Sequence, residues 1–503
     1  MDSTLKEKAE SSEEIPMTEK SSEPEGHKTD LKELVRPGPD VPKVCSCRWV
    51  FCYFSCVAMM FVYAVRVDIS VAIVCMVKKK YKNDSSYSNE TECQLPEKSD
   101  AAHQAEFEWP ENLVANVLGG FFYGYTASNI PGGIIADRFG GKRVFGISLM
   151  LAGILTLLHP VLTRVSGYLT LALRIGTGFV SGPLFPSMHS IWGRWAPPIE
   201  RTKLMAICYA VNLFSYTGGA TVLFSLTWFY IVYDSPLLHP RISIKEREFL
   251  HEAVQAHTTV KNVPWLSIFT SRAMWAIIVA HFCYNWCNYT LLTVLPLFMK
   301  EVLYFDIKTN GMMSSIPYFG QFLGYTCIGP LADSLENRKI MSTRHMRVFL
   351  QTISFLGTAA FLIGTSYIHC TDAMVAVGLL FFAAAFMGFS GGGFFVNHVD
   401  IAPSYAGVLF GITNCISALS GFLAPILAKG LTPDGTQKQW QNVFLVCAGF
   451  CVFGAIFFAI FAGGTIEKWA IEKGSTVDRE KKKSLLLRHT SENSSNQKEE
   501  KQL

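Results

Sequence analysis

The chain has 503 residues, half of them hydrophobic and only 17% charged, with a formal net charge of +4. Mean hydropathy is +0.26, which excludes an ordinary water-soluble enzyme. The cations lie in short loops and tails, not in a basic patch, which excludes nucleic acid as a partner. Fourteen cysteines fall mostly inside apolar runs, where they behave as small hydrophobes, and no metal-ligand spacing occurs.

Residues 1–46 are rich in Glu, Lys, Ser and Pro and contain no apolar run. They are expected to form a disordered cytoplasmic tail, which leaves the first span, 49–77, as the targeting signal. The loop 78–112 carries the acceptor sequons Asn83-Asp-Ser85 and Asn89-Glu-Thr91, so it is placed on the luminal or extracellular side and glycosylated. Cys93 in that loop and Cys370 in a later loop on the same side are candidate disulfide partners.

Spans at 113–136 and 144–163 enclose a turn containing Asp137, Arg138, Gly140 and Arg143, with Gly133 just before it. Its surplus of basic residues puts it on the cytoplasmic side and makes these residues a candidate gate. Further spans read at 168–192, 204–232, 273–299, 311–331, 348–368, 373–396, 405–428 and 442–462, which gives eleven. A weaker copy of the gate, Gly329-Pro-Leu-Ala-Asp333, recurs in the second half, so the chain reads as duplicated. The expected fold is an all-α polytopic membrane protein of two pseudo-symmetric helical bundles, 47–232 and 273–465. A central cytoplasmic loop, 233–272, joins them, and a disordered cytoplasmic tail, 466–503, follows.

One segment conflicts with this frame. Between Arg201 and Asp234 the chain must cross an even number of times, because basic loops on both sides of it need the cytoplasm. Leu204–Val232 offers only 29 residues, whereas two full spans take roughly 40.

The strings Trp195-Ala-Pro-Pro-Ile-Glu200-Arg201-Thr-Lys203, His281-Phe-Cys-Tyr-Asn-Trp286, Asn397-His398-Val-Asp400-Ile-Ala-Pro-Ser-Tyr405-Ala-Gly407 and Trp440-Gln-Asn-Val-Phe444 carry a resemblance. Together they resemble the organic-anion transporter family of the major facilitator superfamily. That family includes sialin, the vesicular glutamate transporters and the type I phosphate transporters. The likeness is strongest to sialin, a lysosomal sialic acid/proton symporter, and covers roughly 46–470. It implies twelve spans, of which the fifth-helix region here is short by about twenty residues, as a splice variant or imperfect gene model would be; a compact two-helix solution is the alternative.

Arg66 lies deep in the first span. A guanidinium there costs about 2.5–3.5 kcal/mol unless it meets a wet cavity or a partner, and its paired N–H groups suit a carboxylate. Asp68, two residues on, points to nearly the opposite side of the helix and is a poor partner for it. The resemblance implies that the arginine matching Arg66 contacts the anionic substrate. Tyr63, Tyr123, Tyr284 and Asn285 are the expected companions, with Arg174 as a second intramembrane cation. Where relatives carry glutamates implicated in proton coupling, this chain has Thr177 and Ser181, which do not titrate. His189 and then Asp68 remain as proton-coupling candidates, while His281 and His398 read as structural.

The expectation is therefore a secondary active transporter of small organic anions working by alternating access, and not an enzyme. Sialic acid or acidic sugars come first, glutamate or aspartate second, with drive from protons or the membrane potential. No cofactor is expected beyond a proton or sodium coupling ion. The partners are the anion and the lipid bilayer, and the carrier is a monomer. Lysosomal or synaptic-type vesicle membranes are favoured, with the plasma membrane open. The alternatives are a transport-inactive isoform or regulatory membrane protein, and a sodium-dependent phosphate or urate-type anion transporter.

Overall fold

The computed structural model describes residues 46–77, 106–209, 218–253, 263–305 and 307–470. Asn83, Asn89 and Cys93 lie outside these residues, as do nearly all of both tails, and with Cys93 its pairing to Cys370. The regular elements among the described residues are all helical, apart from one isolated bridge between Val77 and Phe107.

The first half comprises α1 (Cys47–Met76), α2 (Glu111–Phe139), α3 (Gly141–Val165), α4 (Gly167–Ser181), α5 (Leu184–Trp195), α6 (Arg201–Tyr209) and α7 (Gly218–Ile231). Two short helices, α8 (Ile244–Ala253) and α9 (Trp265–Thr270), follow in the connecting segment. The second half comprises α10 (Arg272–Glu301), α11 (Ile307–Met313), α12 (Ile316–Asn337), α13 (Thr343–Ser366), α14 (Ala373–Gly388), α15 (Phe394–Ile401), α16 (Ala406–Ala418), α17 (Ser420–Leu431) and α18 (Gln437–Phe461).

Among the described residues, six segments are long and apolar enough to cross a bilayer: Cys47–Arg66, Gly141–Val165, Thr343–Ser366, Ala373–Ile401, Pro403–Leu431 and Gln437–Phe461. Helices α2, α10 and α12 have 29, 30 and 22 residues and are long enough too. Their polar and glycine positions lower their hydropathy, and several of these, such as Gly124, Asn129, His281, Gln321 and Gly324, are packed against neighbouring helices.

The duplication is visible in how helices cross. A Cβ on Gly124 of α2 would sit 2.0 Å from the Ile175 carbonyl oxygen of α4, and one on Gly178 would sit 1.9 Å from that of Phe121. In the second half, α12 and α14 touch the same way: a Cβ on Gly324 would meet the Ala385 carbonyl at 2.0 Å, and one on Gly388 the Gln321 carbonyl at 2.6 Å. Backbone-to-backbone contact of this kind is how helices pack where water does not drive them together. Each half also contains a broken helix at the corresponding place. Gly182-Pro183 separates α4 from α5, and a 3-10 turn at Phe389–Gly392 separates α14 from α15.

The described residues of the 204–232 run belong to two helices, α6 and α7. Their described parts are nine residues of α6 and 14 of α7, and the run's 29 residues fall short of the roughly 40 that two full spans take. The chain nevertheless returns to the side that its charges require. The Asp234 carboxylate accepts the Lys142 N–H at 2.7 Å and lies 4.0 Å from the Arg194 guanidinium, so the central loop sits against the 137–143 turn. Helix α8 is tied to the same face. The Glu246 carboxylate accepts the backbone N–H groups of Cys47 and Arg48, at 3.0 and 3.1 Å, and pairs with the Arg48 guanidinium at 3.1 Å. It thus neutralises the positive end of α1.

Candidate functional site

Arg66 stands two-thirds of the way along α1, is 5% exposed, and lies where the two halves meet. Its guanidinium carbon is 4.7 to 5.3 Å from the ring centres of Phe121, Phe122 and Tyr125 on α2 and Tyr289 on α10. It donates a hydrogen bond to the Tyr289 hydroxyl. Among the described residues no carboxylate lies within ion-pairing distance of it. Each desolvated cation–ring contact contributes about 0.5–2 kcal/mol, so four rings offset an insertion cost of about 2.5–3.5 kcal/mol. The cation is stabilised without being neutralised, which leaves its charge for an anion.

Arg174 on α4 is engaged differently. It pairs with Asp68 at 3.3 Å and donates to the backbone carbonyls of Arg66 at 2.9 Å and Val65 at 3.4 Å. Asp68 also accepts the Ile69 N–H at 2.6 Å. The helical geometry that separates Asp68 from Arg66 thus turns it toward Arg174, which has a neutralising neighbour after all. Arg174 fixes α1 against α4, and the trio Arg66, Arg174 and Asp68 carries a net single positive charge. Thr177 bonds its own helix, donating to the Leu173 carbonyl at 2.8 Å.

The other expected companions divide. Tyr63 precedes Arg66 by three residues on the same face of α1, with its ring edge-on to Phe185. Tyr123 stands apart from the cage, 44% exposed, against Phe422. The Tyr284 hydroxyl is 2.9 Å from that of Tyr325 and accepts from Gln321 at 2.8 Å, so this ring faces into the second half. Asn285 donates to the Ser417 hydroxyl at 2.8 Å. The cage residues that reading the sequence passed over are Phe121, Phe122, Tyr125 and Tyr289. The 121, 122, 125 spacing marks one helix face and was the available signal. Asn414 of α16 donates to the Tyr125 hydroxyl and to Asn129, each at 2.6 Å, which ties the cage to the second half.

The gate residues form two matched latches. Asp137 at the end of α2 accepts the N–H of Val408, at the start of α16, at 2.9 Å. Asp333 near the end of α12 accepts those of Thr202 and Lys203, at the start of α6, at 3.2 and 2.9 Å. Each half therefore caps the positive end of a helix in the other. Both carboxylates lie past the apolar runs of their helices, at the membrane surface. Burial there raises Asp137 to about 6 and Asp333 to about 7, against the N–H groups that pull them down. The latches accordingly weaken as the cytoplasmic side acidifies through that range. Asp400 reinforces them, pairing with Arg201 at 3.1 Å and Arg347 at 2.7 Å. Arg138 and Arg143 are exposed, and it is Arg194 that reaches the Asp137 carbonyl, at 3.4 Å. Gly140 has a φ of +96° and abuts Asp234, which a side chain would displace.

Gly133 sets how closely α2 meets α16. A Cβ there would lie 2.5 Å from the Gly407 carbonyl oxygen. Gly133→Ala is expected to cost the closed cytoplasmic side about 1–3 kcal/mol. A cysteine introduced at that mouth should then react faster with a membrane-impermeant maleimide. Unchanged labelling would mean that the helices separate elsewhere.

His189 on α5 is fully buried, its Nδ1 2.7 Å from the Tyr209 hydroxyl and 3.2 Å from the Phe185 carbonyl oxygen. Among the described residues no cluster of His, Cys, Asp or Glu could hold a metal ion.

Comparison with known proteins agrees with this geometry. The Major Facilitator Superfamily pattern matches residues 50–425. Sialin of Homo sapiens is 38% identical over 475 residues, covering 88% of this chain and 95% of sialin. The chain belongs to the major facilitator superfamily, in its sialin-like branch. Vesicular glutamate transporter 1 of Bos taurus is 34% identical over 465 residues, covering 86% of this chain and 80% of that one. Two solved structures share the fold. The proton:xylose symporter XylE matches with a TM-score of 0.58 at 14% identity, covering 84% of this chain and 96% of its own. FucP, in the outward conformation, matches at 0.54 and 12%, covering 82% and 99%. This major facilitator is a multi-pass membrane transporter and not an enzyme.

Proposed function

We propose that this protein carries a monovalent organic anion through alternating access of its two halves, with sialic acid or an acidic sugar first and glutamate or aspartate second. The observation that carries the reading is Arg66, a buried guanidinium at the junction of the halves, surrounded by rings and, among the described residues, matched to no acid. With Arg174 and Asp68 cancelling, one bound carboxylate makes the site neutral. The aromatic faces suit a sugar ring as well as the cation. Likeness to sialin supports an acidic sugar over an amino acid, and a lysosomal or vesicle membrane over the plasma membrane.

Uptake of labelled sialic acid into proteoliposomes tests this. Saturable uptake is expected, displaced by a hexuronic acid and not by a neutral hexose. Equal displacement by the neutral sugar would remove the anion site from the account.

One observation favours a second reading, a transport-inactive form. Residues 204–232 are too few for two full spans, and α6 supplies the N-terminus that Asp333 caps. If the chain as it stands gives no uptake and insertion of about twenty apolar residues after Ala210 restores it, the inactive form is the correct reading.

A further inference from the structure

Three histidines far apart in the chain meet at the boundary between the halves. His189 comes from α5 in the first half; His281 from α10 and His398 from α15 come from the second. All three are buried. The ring centres of His189 and His398 are 5.6 Å apart and those of His281 and His398 are 6.2 Å apart. His189 stacks on Phe410 of α16 at 3.7 Å. Thr413, one turn further along α16, stands between the other two. Its Oγ1 is 2.8 Å from His398 Nε2, 3.0 Å from His281 Nδ1 and 3.2 Å from the Phe410 carbonyl oxygen.

Requiring one hydrogen in each of these contacts assigns the protons. His398 Nδ1 faces the Phe395 carbonyl at 3.2 Å, and a carbonyl only accepts, so that nitrogen carries a hydrogen. In the neutral ring Nε2 is then a lone pair, and it takes the hydroxyl hydrogen of Thr413. The Thr413 oxygen in turn accepts from His281 Nδ1–H. A proton added to His398 Nε2 requires one rearrangement. The Thr413 hydroxyl rotates its hydrogen to the Phe410 carbonyl, and its oxygen accepts from both imidazoles. A second proton in the cluster would set two like charges side by side in a poorly screened interior. Packing alone calls for apolar rings here, since each buried polar nitrogen costs free energy unless it is bonded.

The titratable and charged groups around the cluster connect it to the latches and to the anion site. From α6, the Tyr209 hydroxyl meets His189. On α15, Asp400 lies two residues beyond His398 and is held by Arg201 of α6 and Arg347 of α13. Ser190, next to His189, lies beside Asp137 of α2 and helps to set its electrostatics. On α10, Tyr284 is engaged by Tyr325 and Gln321. Asn285 and Tyr289 follow His281 at helical spacing, which places the Arg66 partner about 12 Å along the same helix.

Resting on the anion-carrier reading, we propose that His189, His281 and His398, gathered around Thr413, form the proton-binding site of this transporter and hold one proton per transported anion. Transport of a monovalent anion is then electroneutral, and a pH gradient drives it while the membrane potential does not. The proton on the cluster loosens the His189–His398 contact between the halves beside the Asp137 and Asp400 latches.

The test uses the full chain in proteoliposomes with the potential clamped at zero. The cytoplasmic-side pH is held fixed so that Asp137 and Asp333 do not titrate. With sialic acid as probe and one pH unit of acid on the other side, the unsubstituted protein is expected to accumulate up to about tenfold. His189→Gln, His281→Gln and His398→Gln should accumulate none while still exchanging sialic acid at equal pH. Thr413→Val, which removes only the hydroxyl, supplies the same comparison where a histidine variant fails to fold. In detergent with a pH-sensitive dye, the unsubstituted protein should take up about one proton per sialic acid bound and the variants none. Gradient-driven accumulation or proton uptake that survives these substitutions overturns the proposal. An unsubstituted protein that neither exchanges nor accumulates any organic anion overturns the carrier reading instead.

Discussion

Arg66→Ala is expected to abolish anion uptake while leaving the protein folded. The guanidinium is held by ring faces and one tyrosine hydroxyl, so its removal strands no buried carboxylate. It also relieves an insertion cost of about 2.5–3.5 kcal/mol. What is lost is the charge-assisted contact to the substrate. Truncating one side of a buried, hydrogen-bonded charge pair typically costs about 2–5 kcal/mol, which is about 30-fold to several thousand-fold in affinity. Arg66→Lys should fall between the two, since it keeps the charge and loses the planar fork. Uptake rates set against melting temperature in detergent separate the effects. Arg174→Ala provides the contrast. It removes the partner of Asp68 and two hydrogen bonds that hold α1, so it should lower the melting temperature. An Arg66→Ala protein that transports normally, or one that unfolds as Arg174→Ala does, would remove Arg66 from the anion site.

Asp400→Ala is expected to swing the molecule open toward the cytoplasm. This carboxylate lies between two buried guanidinium groups, Arg201 from the first half and Arg347 from the second. Removing one member of a buried charge network strands the others, at about 3–5 kcal/mol. Opening the halves lets water reach Arg201, so the penalty falls mainly on the closed state. A shift of that size moves a two-state population by about 10²–10³ or more. Cysteines at the cytoplasmic ends of α2 and α16 should react with impermeant reagents far faster in the variant, and net transport should drop because the closed state is rarely visited. Arg201→Ala on the Asp400→Ala background should recover part of the closed population, since it removes the stranded charge. No recovery would mean that Asp400 serves the second half alone, through Arg347.

How far the site could be read from the sequence depended on whether a single helix decided the matter. The position of Arg66 in a span, its demand for a partner and the exclusion of Asp68 all follow from helical periodicity on one element. The gate carboxylates Asp137 and Asp333 were legible because they sit in charged turns between apolar runs. Their partners were not, because a carboxylate that caps a helix recognises backbone N–H groups, and these leave no mark in a side-chain pattern. That Phe121, Phe122, Tyr125 and Tyr289, and not Tyr123, surround Arg66 was not legible for a related reason. Five consecutive residues of α2, 121–125, include four aromatics, and only the packing of α2 against α1 decides which of them turn toward Arg66.

The sequence by itself determined the membrane, the duplication and the presence of an arginine that must be accounted for. These are consequences of apolar length and charge, which act along the chain and need no folded neighbour. Tertiary structure alone decided which groups became partners: Asp68 for Arg174, a ring of aromatics for Arg66, and Thr413 for two histidines 117 residues apart. Each of those partnerships joins residues from different helices. It exists because polar groups buried at bilayer depth have no water to turn to and must find one another across the packed interface.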